Sequence, residues 1–347
     1  MLKANFIRYD LHFRKPSGTS RGILTTKTSW FIVVSDNTLP EWRGIGEVGH
    51  LNGLSPEPFD SIEPKLKDVC EQINAYLTSE NGLENFPSIR FALEQIHFSL
   101  HQKKQELLFP SAFTEGKMDI PINGLIWMGP KEEMRKQIRE KIDSGWKCVK
   151  LKIGALHFED ELSLLRELRK EFSAAEIEIR VDANGAFSIQ DAAEKINRLS
   201  ELNLHSIEQP IAVKQWEEMA KLCRTTALPI ALDEELIGIS TTKEKLDVLA
   251  QIRPQYIILK PSLIGGIRSS LEWIQCANDL SIGWWITSAL ESNVGLNAIA
   301  QWTATLQNPM PQGLGTGQLY TNNIDSPLSI ENCALHFDPS KKFTLPF

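Results

Sequence analysis

The stretches CVKLKIG (148–154), IEIRVDAN (177–184), HSIEQP (205–210), PIALDEE (229–235) and YIILKPS (256–262) decide the fold. Each is an apolar run of strand length that carries ionisable residues towards its C-terminal end. Amphipathic helical stretches separate them, among them FEDELSLLRELRKEF (158–172), SIQDAAEKINRLSEL (188–202) and VKQWEEMAKLCRTT (213–226). Strands alternating with helices at this spacing predict a parallel sheet with helical crossovers. Outward from this centre, PINGLIW (121–127) precedes the set, while GWWITSA (283–289) and QGLGTG (312–317) follow it. Eight strands and about seven helices in roughly 200 residues fit a compact (β/α) barrel. An open doubly wound sheet is the weaker choice, because no GxGxxG turn follows the first strand.

The part before the barrel is mixed. Residues 6–14 alternate like a half-buried strand, and 30–34 form a short apolar run that suits a buried one. KPSGTSRGILTTK (15–27) reads as a mobile loop, and GHLNGLSPEP (49–58) as a second loop. Helical periodicity follows at 59–78 and 87–105. These features predict an α+β unit over 1–118, a barrel over 119–320, and a segment 321–347 that packs back on the first unit.

Composition narrows the function. The 347 residues are 42% hydrophobic and 23% charged with a net charge of −7, and the two signs are interspersed. No basic block points to nucleic acid. No apolar stretch reaches the roughly 20 residues that span a bilayer. The N-terminus lacks the apolar run of a signal peptide, and the five scattered cysteines read as reduced thiols, so the cytoplasm is the expected compartment.

The chemistry is written at the strand ends. Lys150 and Lys152, Asp182, Glu208, Asp233 and Lys260 occupy five successive strands, and the acids lie 26 and 25 residues apart, one β/α repeat each. Equivalent positions on barrel strands converge on one mouth. Three carboxylates placed together repel one another unless a cation neutralises them. An all-oxygen set without cysteine or histidine suits Mg²⁺, and Mn²⁺ equally, rather than zinc or copper. Lys150 and Lys152 stand two apart and share a face. Ammonium groups close to each other and to a cation should have lowered pKa values, which makes one a usable general base. For Lys150 a salt bridge to a ligand carboxylate outweighs direct proton transfer. Lys260 lies four strands on from Lys152, so a bound small-molecule carboxylate would be flanked by amines.

The runs KLKIG (150–154), RVDANGAF (180–187), IEQP (207–210), ALDEEL (231–236) and LKPSLIGG (259–266) resemble the muconate lactonizing subgroup of the enolase superfamily. SALESNVGLNAIAQW (288–302) and GLGTGQLY (313–320) resemble its o-succinylbenzoate synthases. The resemblance covers nearly the whole chain. It implies a modified TIM barrel, (β/α)7β, with an N-terminal α+β capping domain, and Asp182, Glu208 and Asp233 as Mg²⁺ ligands. It implies Lys152 as the acid/base that takes the α-proton, with Lys260 across the site. The implied reaction is the syn-dehydration of 2-succinyl-6-hydroxy-2,4-cyclohexadiene-1-carboxylate to 2-succinylbenzoate in menaquinone synthesis. Metal and ammonium groups would stabilise its enediolate.

Other residues carry two readings each. Arg180 and Asn184 either support ligands and substrate or pack as a barrel layer. Gly265 and Gly266 open a helix whose N–H groups could receive a substrate carboxylate, or form a tight turn. Ser288 and residues 291–293 either line the substrate or cap a helix. Residues 17–21 and 51–54 resemble covering loops, and Glu234 would hold a lysine or a ligand. A racemase of N-acylamino acids or a dipeptide epimerase is the rival activity on the same site. The Asp-x-Asp pair usual in those epimerases is missing from GLGTGQLY. A non-catalytic barrel would be expected to lose a ligand or a lysine, and none is missing.

Overall fold

The computed structural model describes residues 2–19, 22–79 and 81–346. Three antiparallel strands open the chain: β1 (Leu2–Thr19), β2 (Gly22–Asp36) and β3 (Leu39–Gly49), in the order β1-β2-β3. The polar stretch expected as a loop is instead the far part of the β1–β2 hairpin, with a register shift between His12 and Ser17. Lys15, Thr25 and Thr26 of this part are exposed, so polar residues cost little there. Ser20 and Arg21, expected in a covering loop, lie outside the described residues. Helices α1 (Phe59–Glu71), α2 (Ile73–Tyr76) and α3 (Pro87–Gln102) complete this cap. A Cβ on Gly46 would stand 2.1 Å from the carbonyl oxygen of Ala92, so the absent side chain is what lets α3 lie on β3. Trp30, Ile32, Val48, Ile62, Leu66 and Ile89 fill the space between. Each fully buried aliphatic side chain contributes about 1.5–3 kcal/mol.

A short strand β4 (Ile120–Pro121) leads into the barrel. Seven parallel strands follow: β5 (Gly124–Ile126), β6 (Cys148–Lys152), β7 (Glu178–Asp182), β8 (Ser206–Glu208), β9 (Ile230–Leu232), β10 (Tyr256–Leu259) and β11 (Gly283–Ile286). The eighth position is taken by residues 312–313, which bridge Ile122 on one side and Thr287 on the other and so close the ring. Around it run α4 (Lys131–Asp143), α5 (Phe158–Glu171), α6 (Ile189–Ser200), α7 (Trp216–Thr225), α8 (Thr242–Ile252), the short α9 (Pro261–Ile264), α10 (Gly266–Asp279) and α11 (Asn293–Thr305). The outward strand residues Val149, Leu151, Ile179, Val181 and Ile207 are fully buried beneath these helices, as a sheet covered by helices requires.

The C-terminal segment divides. Strands β12 (Leu328–Glu331) and β13 (Ala334–Phe337) form a hairpin that pairs with β4, and this sheet was not expected. Phe343 and Leu345 pack with Phe31 and Ile45 of the cap.

Candidate active site

Register brings the ionisable residues together. Lys152 is paired with Asp182 and Asp182 with Glu208, so the three stand in one row across β6, β7 and β8. Asp233 and Lys260 directly follow β9 and β10. Asp182, Glu208 and Asp233 are all but fully buried. Lys150 Nζ lies 2.9 Å from Asp182 Oδ2 and 2.5 Å from Glu208 Oε2. Lys152 Nζ donates to the same Asp182 oxygen at 2.5 Å and to Asn184 Oδ1 at 2.8 Å. Lys260 Nζ donates to Asp233 Oδ2.

The electrostatics follow from burial and these contacts. Burial pushes the Lys150 ammonium down, but Asp182 and Glu208 together outweigh it and raise its pKa. The lowering expected for these amines is that of a site with a cation bound beside them. Lys260 is likewise raised, with Asp233 overcoming burial. Burial pushes Asp182 up, yet Lys150 and Lys152 hold its carboxyl well below the usual range. Glu208 is raised well above it, by burial and then by Asp182.

Among the described residues no three His, Cys, Asp or Glu groups close tightly enough to form a metal site, because ammonium groups stand among the carboxylates. The donor set nonetheless suits a hard cation. Glu208 Oε1 is buried with no hydrogen-bond partner. Four buried carboxylates, counting Glu234, face only three ammonium groups. An orphaned, buried carboxylate oxygen in a cluster with excess negative charge fits a divalent ion with oxygen ligands.

Above the cluster lies a cavity of about 200 Å³. Lys150, Lys152, Lys260, Asn184 and Glu234 form its polar end. Leu24, Leu51 and Leu54 reach in from the cap, and Leu125, Trp127 and Leu319 from the barrel side. Ser288 lines it and shares a 2.6 Å hydrogen bond with Thr316. Asn184 ties the lysine to the acid, because its Nδ2 donates to Glu234 Oε1 at 2.8 Å.

Three expected contacts are placed elsewhere. Arg180 does not line the cavity: its guanidinium pairs with Glu178, donates to the Pro311 carbonyl and stacks 4.4 Å over Trp285, which is the barrel-layer role. Gly265 and Gly266 also lie off the cavity. The N–H groups of Ile267 and Arg268 at that helix start already donate to Glu94 of α3, at 2.5 and 2.9 Å. A carboxylate does sit there, and it belongs to the cap. Residues 291–293 cap α11, with Ser292 Oγ accepting from Val294 N. Trp127 and Thr316 were not singled out from the sequence; the run GLGTGQLY was the only available signal for Thr316.

Comparison with known proteins identifies the family. The family described as Enolase C-terminal domain-like matches residues 133–339. An o-succinylbenzoate synthase from Desulfotalea psychrophila is 45% identical over 95% of this chain and 97% of its own length. The crystal structure of MenC from that organism superposes with a TM-score of 0.85 at 42% identity, covering 96% of this chain and 99% of its own. An N-succinylamino acid racemase from Thermus thermophilus is 31% identical over 47% of this chain and 42% of its own, a more distant likeness. No helix among the described residues is long and apolar enough to cross a membrane. The fold, the cluster at the strand ends and this near full-length identity together place the chain in the enolase superfamily, among its o-succinylbenzoate synthases.

Proposed function

We propose that the dehydration of the family is carried out by Lys152 and Lys260 on a carboxylate substrate held in the cavity, with Asp182, Glu208 and Asp233 holding Mg²⁺ or Mn²⁺. The observation that carries this reading is the placement of the two amines. β6 and β10 are separated by β7, β8 and β9, so Lys152 and Lys260 meet one cavity from opposite sides of the acid row.

A divalent cation bound there supplies positive charge to a substrate carboxylate on which negative charge accumulates. Lys152, as the neutral amine, takes the proton from the carbon next to that carboxylate. Its hydrogen bond to Asn184 Oδ1 fixes where Nζ points. The resulting ammonium then gives the proton to the departing hydroxyl, so a C–H and a C–O bond break and one water leaves. Lys260 remains protonated and faces the anionic intermediate from the other side. Lys150 holds Asp182 and Glu208 in place rather than moving a proton. Leu24, Leu51 and Leu54 exclude water from the polar end. The five free cysteines support a cytoplasmic setting.

An ultraviolet assay for 2-succinylbenzoate formation, run with and without chelator, tests this reading. Turnover that chelator abolishes and Mg²⁺ restores is expected. Undiminished turnover in chelator would remove the cation from the account.

A further inference from the structure

The wall of the cavity formed by Ser288, Ala289 and Leu290 is held by hydrogen bonds from several elements. Leu290 has φ +62°, a left-handed backbone that a non-glycine residue keeps only when its surroundings impose it. Tyr320 Oη donates to the Leu290 carbonyl at 2.7 Å. Glu291, fully buried, accepts from Ala289 N at 2.7 Å and from Ser262 Oγ at 2.5 Å. A further restraint comes next along the chain, from Glu47 on β3 of the cap.

Glu47 is fully buried, and four donors converge on its carboxylate. Oε1 accepts from Ser29 Oγ at 2.7 Å and from Ser292 N at 2.9 Å. Oε2 accepts from Ser292 Oγ at 2.5 Å and from Gly295 N at 3.0 Å. Lys27, also buried, stands 3.7 Å from Oε1 and donates to Ser29 Oγ. Nothing in the chemistry above uses this carboxylate, and it does not line the cavity. A buried carboxylate with a lysine beside it and four donors is a costly thing to assemble unless position is what it secures. Its partners on the barrel begin two residues after Leu290.

We propose that Glu47 is a positioning residue: it locks the cap onto the start of α11 and thereby sets the Ser288–Leu290 wall against the substrate. The inference rests on the reading that this cavity holds the substrate. The wall lines the cavity but supplies no group that moves a proton in the proposed chemistry, so Glu47 governs how well the substrate seats rather than how fast the proton moves.

Glu47→Gln and Ser292→Ala, alone and together, test this in the dehydration assay, with melting temperature as the check on folding. Glutamine keeps the shape but turns an amide N–H₂ toward donors. KM should rise about tenfold, the worth of one charge-assisted hydrogen bond, with kcat within about threefold. Because Ser292 Oγ reaches the cap through the same carboxylate, the double variant should raise KM no further than Glu47→Gln alone, while the lost α11 cap lowers its melting temperature further. A lowered melting temperature with unchanged KM would overturn the proposal, as would additive effects on KM. Should Glu47→Gln fail to fold, Ser292→Ala alone still decides by the same KM against kcat reading. Wild-type turnover, measured alongside, tests the functional reading separately.

Discussion

Replacing Lys152 by alanine separates the chemistry from the fold, and the structure says by how much. Asp182 Oδ2 receives two ammonium groups, Lys152 at 2.5 Å and Lys150 at 2.9 Å. Removing one partner of a buried pair ordinarily costs about 3–5 kcal/mol, because the other charge is left alone. Here Lys150 remains on the same oxygen, so that penalty is largely avoided. What is lost is one of the two ammonium contacts on Asp182 Oδ2 and the hydrogen bond to Asn184 Oδ1, while Asn184 Nδ2 keeps Glu234. A cost of about 1–2 kcal/mol follows. The loss of a positioned proton-transfer group removes about 10²–10⁴ in rate, or roughly 3–5 kcal/mol of barrier. Steady-state assay of 2-succinylbenzoate formation should therefore show kcat down at least about a hundredfold. Thermal denaturation of the same sample should show a folded protein. A kcat within about tenfold of wild type in a folded variant would refute the assignment of Lys152.

Lys260→Met should lower kcat by about 10²–10⁴ while calorimetric titration still detects Mg²⁺ binding, since Asp233 is released rather than removed; near wild-type kcat would count against its role. Glu94→Gln weakens the cap at the N-terminus of α10 and should cost about 1 kcal/mol, or roughly 2 °C in melting temperature. An unchanged melting temperature would show those contacts to be worthless. Burial holds the His50 imidazole below its usual pKa; the Glu57 carbonyl works against this and Lys27 adds to it. The unfolded chain then binds more protons than the folded one below about pH 6.5. His50 thus contributes stability that is present above that pH and is lost as pH falls through the folded value. Urea denaturation should show that decline reduced in His50→Gln, and an identical pH profile would exclude His50 as a cause.

The barrel was legible because its strands repeat at a near-constant interval and five of them, β6 to β10, end in or run straight into an ionisable residue. Lys150, Lys152, Asp182, Glu208, Asp233 and Lys260 are brought together as that rhythm requires. The cap was less legible. β3 contains Gly44, Gly46 and Gly49, with Arg43 before them and Glu47 between, which hides a strand in both composition and alternation. The outer part of the β1–β2 hairpin is polar because it is exposed, and read as a loop for that reason. The start of α10 was left with two readings because its capping carboxylate, Glu94, is 173 residues away in the chain. A Cβ on Gly266 would meet that carboxylate at 2.2 Å, so this glycine, with φ +88°, serves the docking of the cap. Long-range partners of this kind leave no local signature.

Crystals soaked in Mn²⁺ and measured for anomalous scattering address the central claim without reference to turnover. The account predicts one strong peak bounded by the carboxylates of Asp182, Glu208 and Asp233, with the lysine ammonium groups drawn back from those oxygens. A map with no peak there, the ammonium groups still bound to the acids, would contradict it.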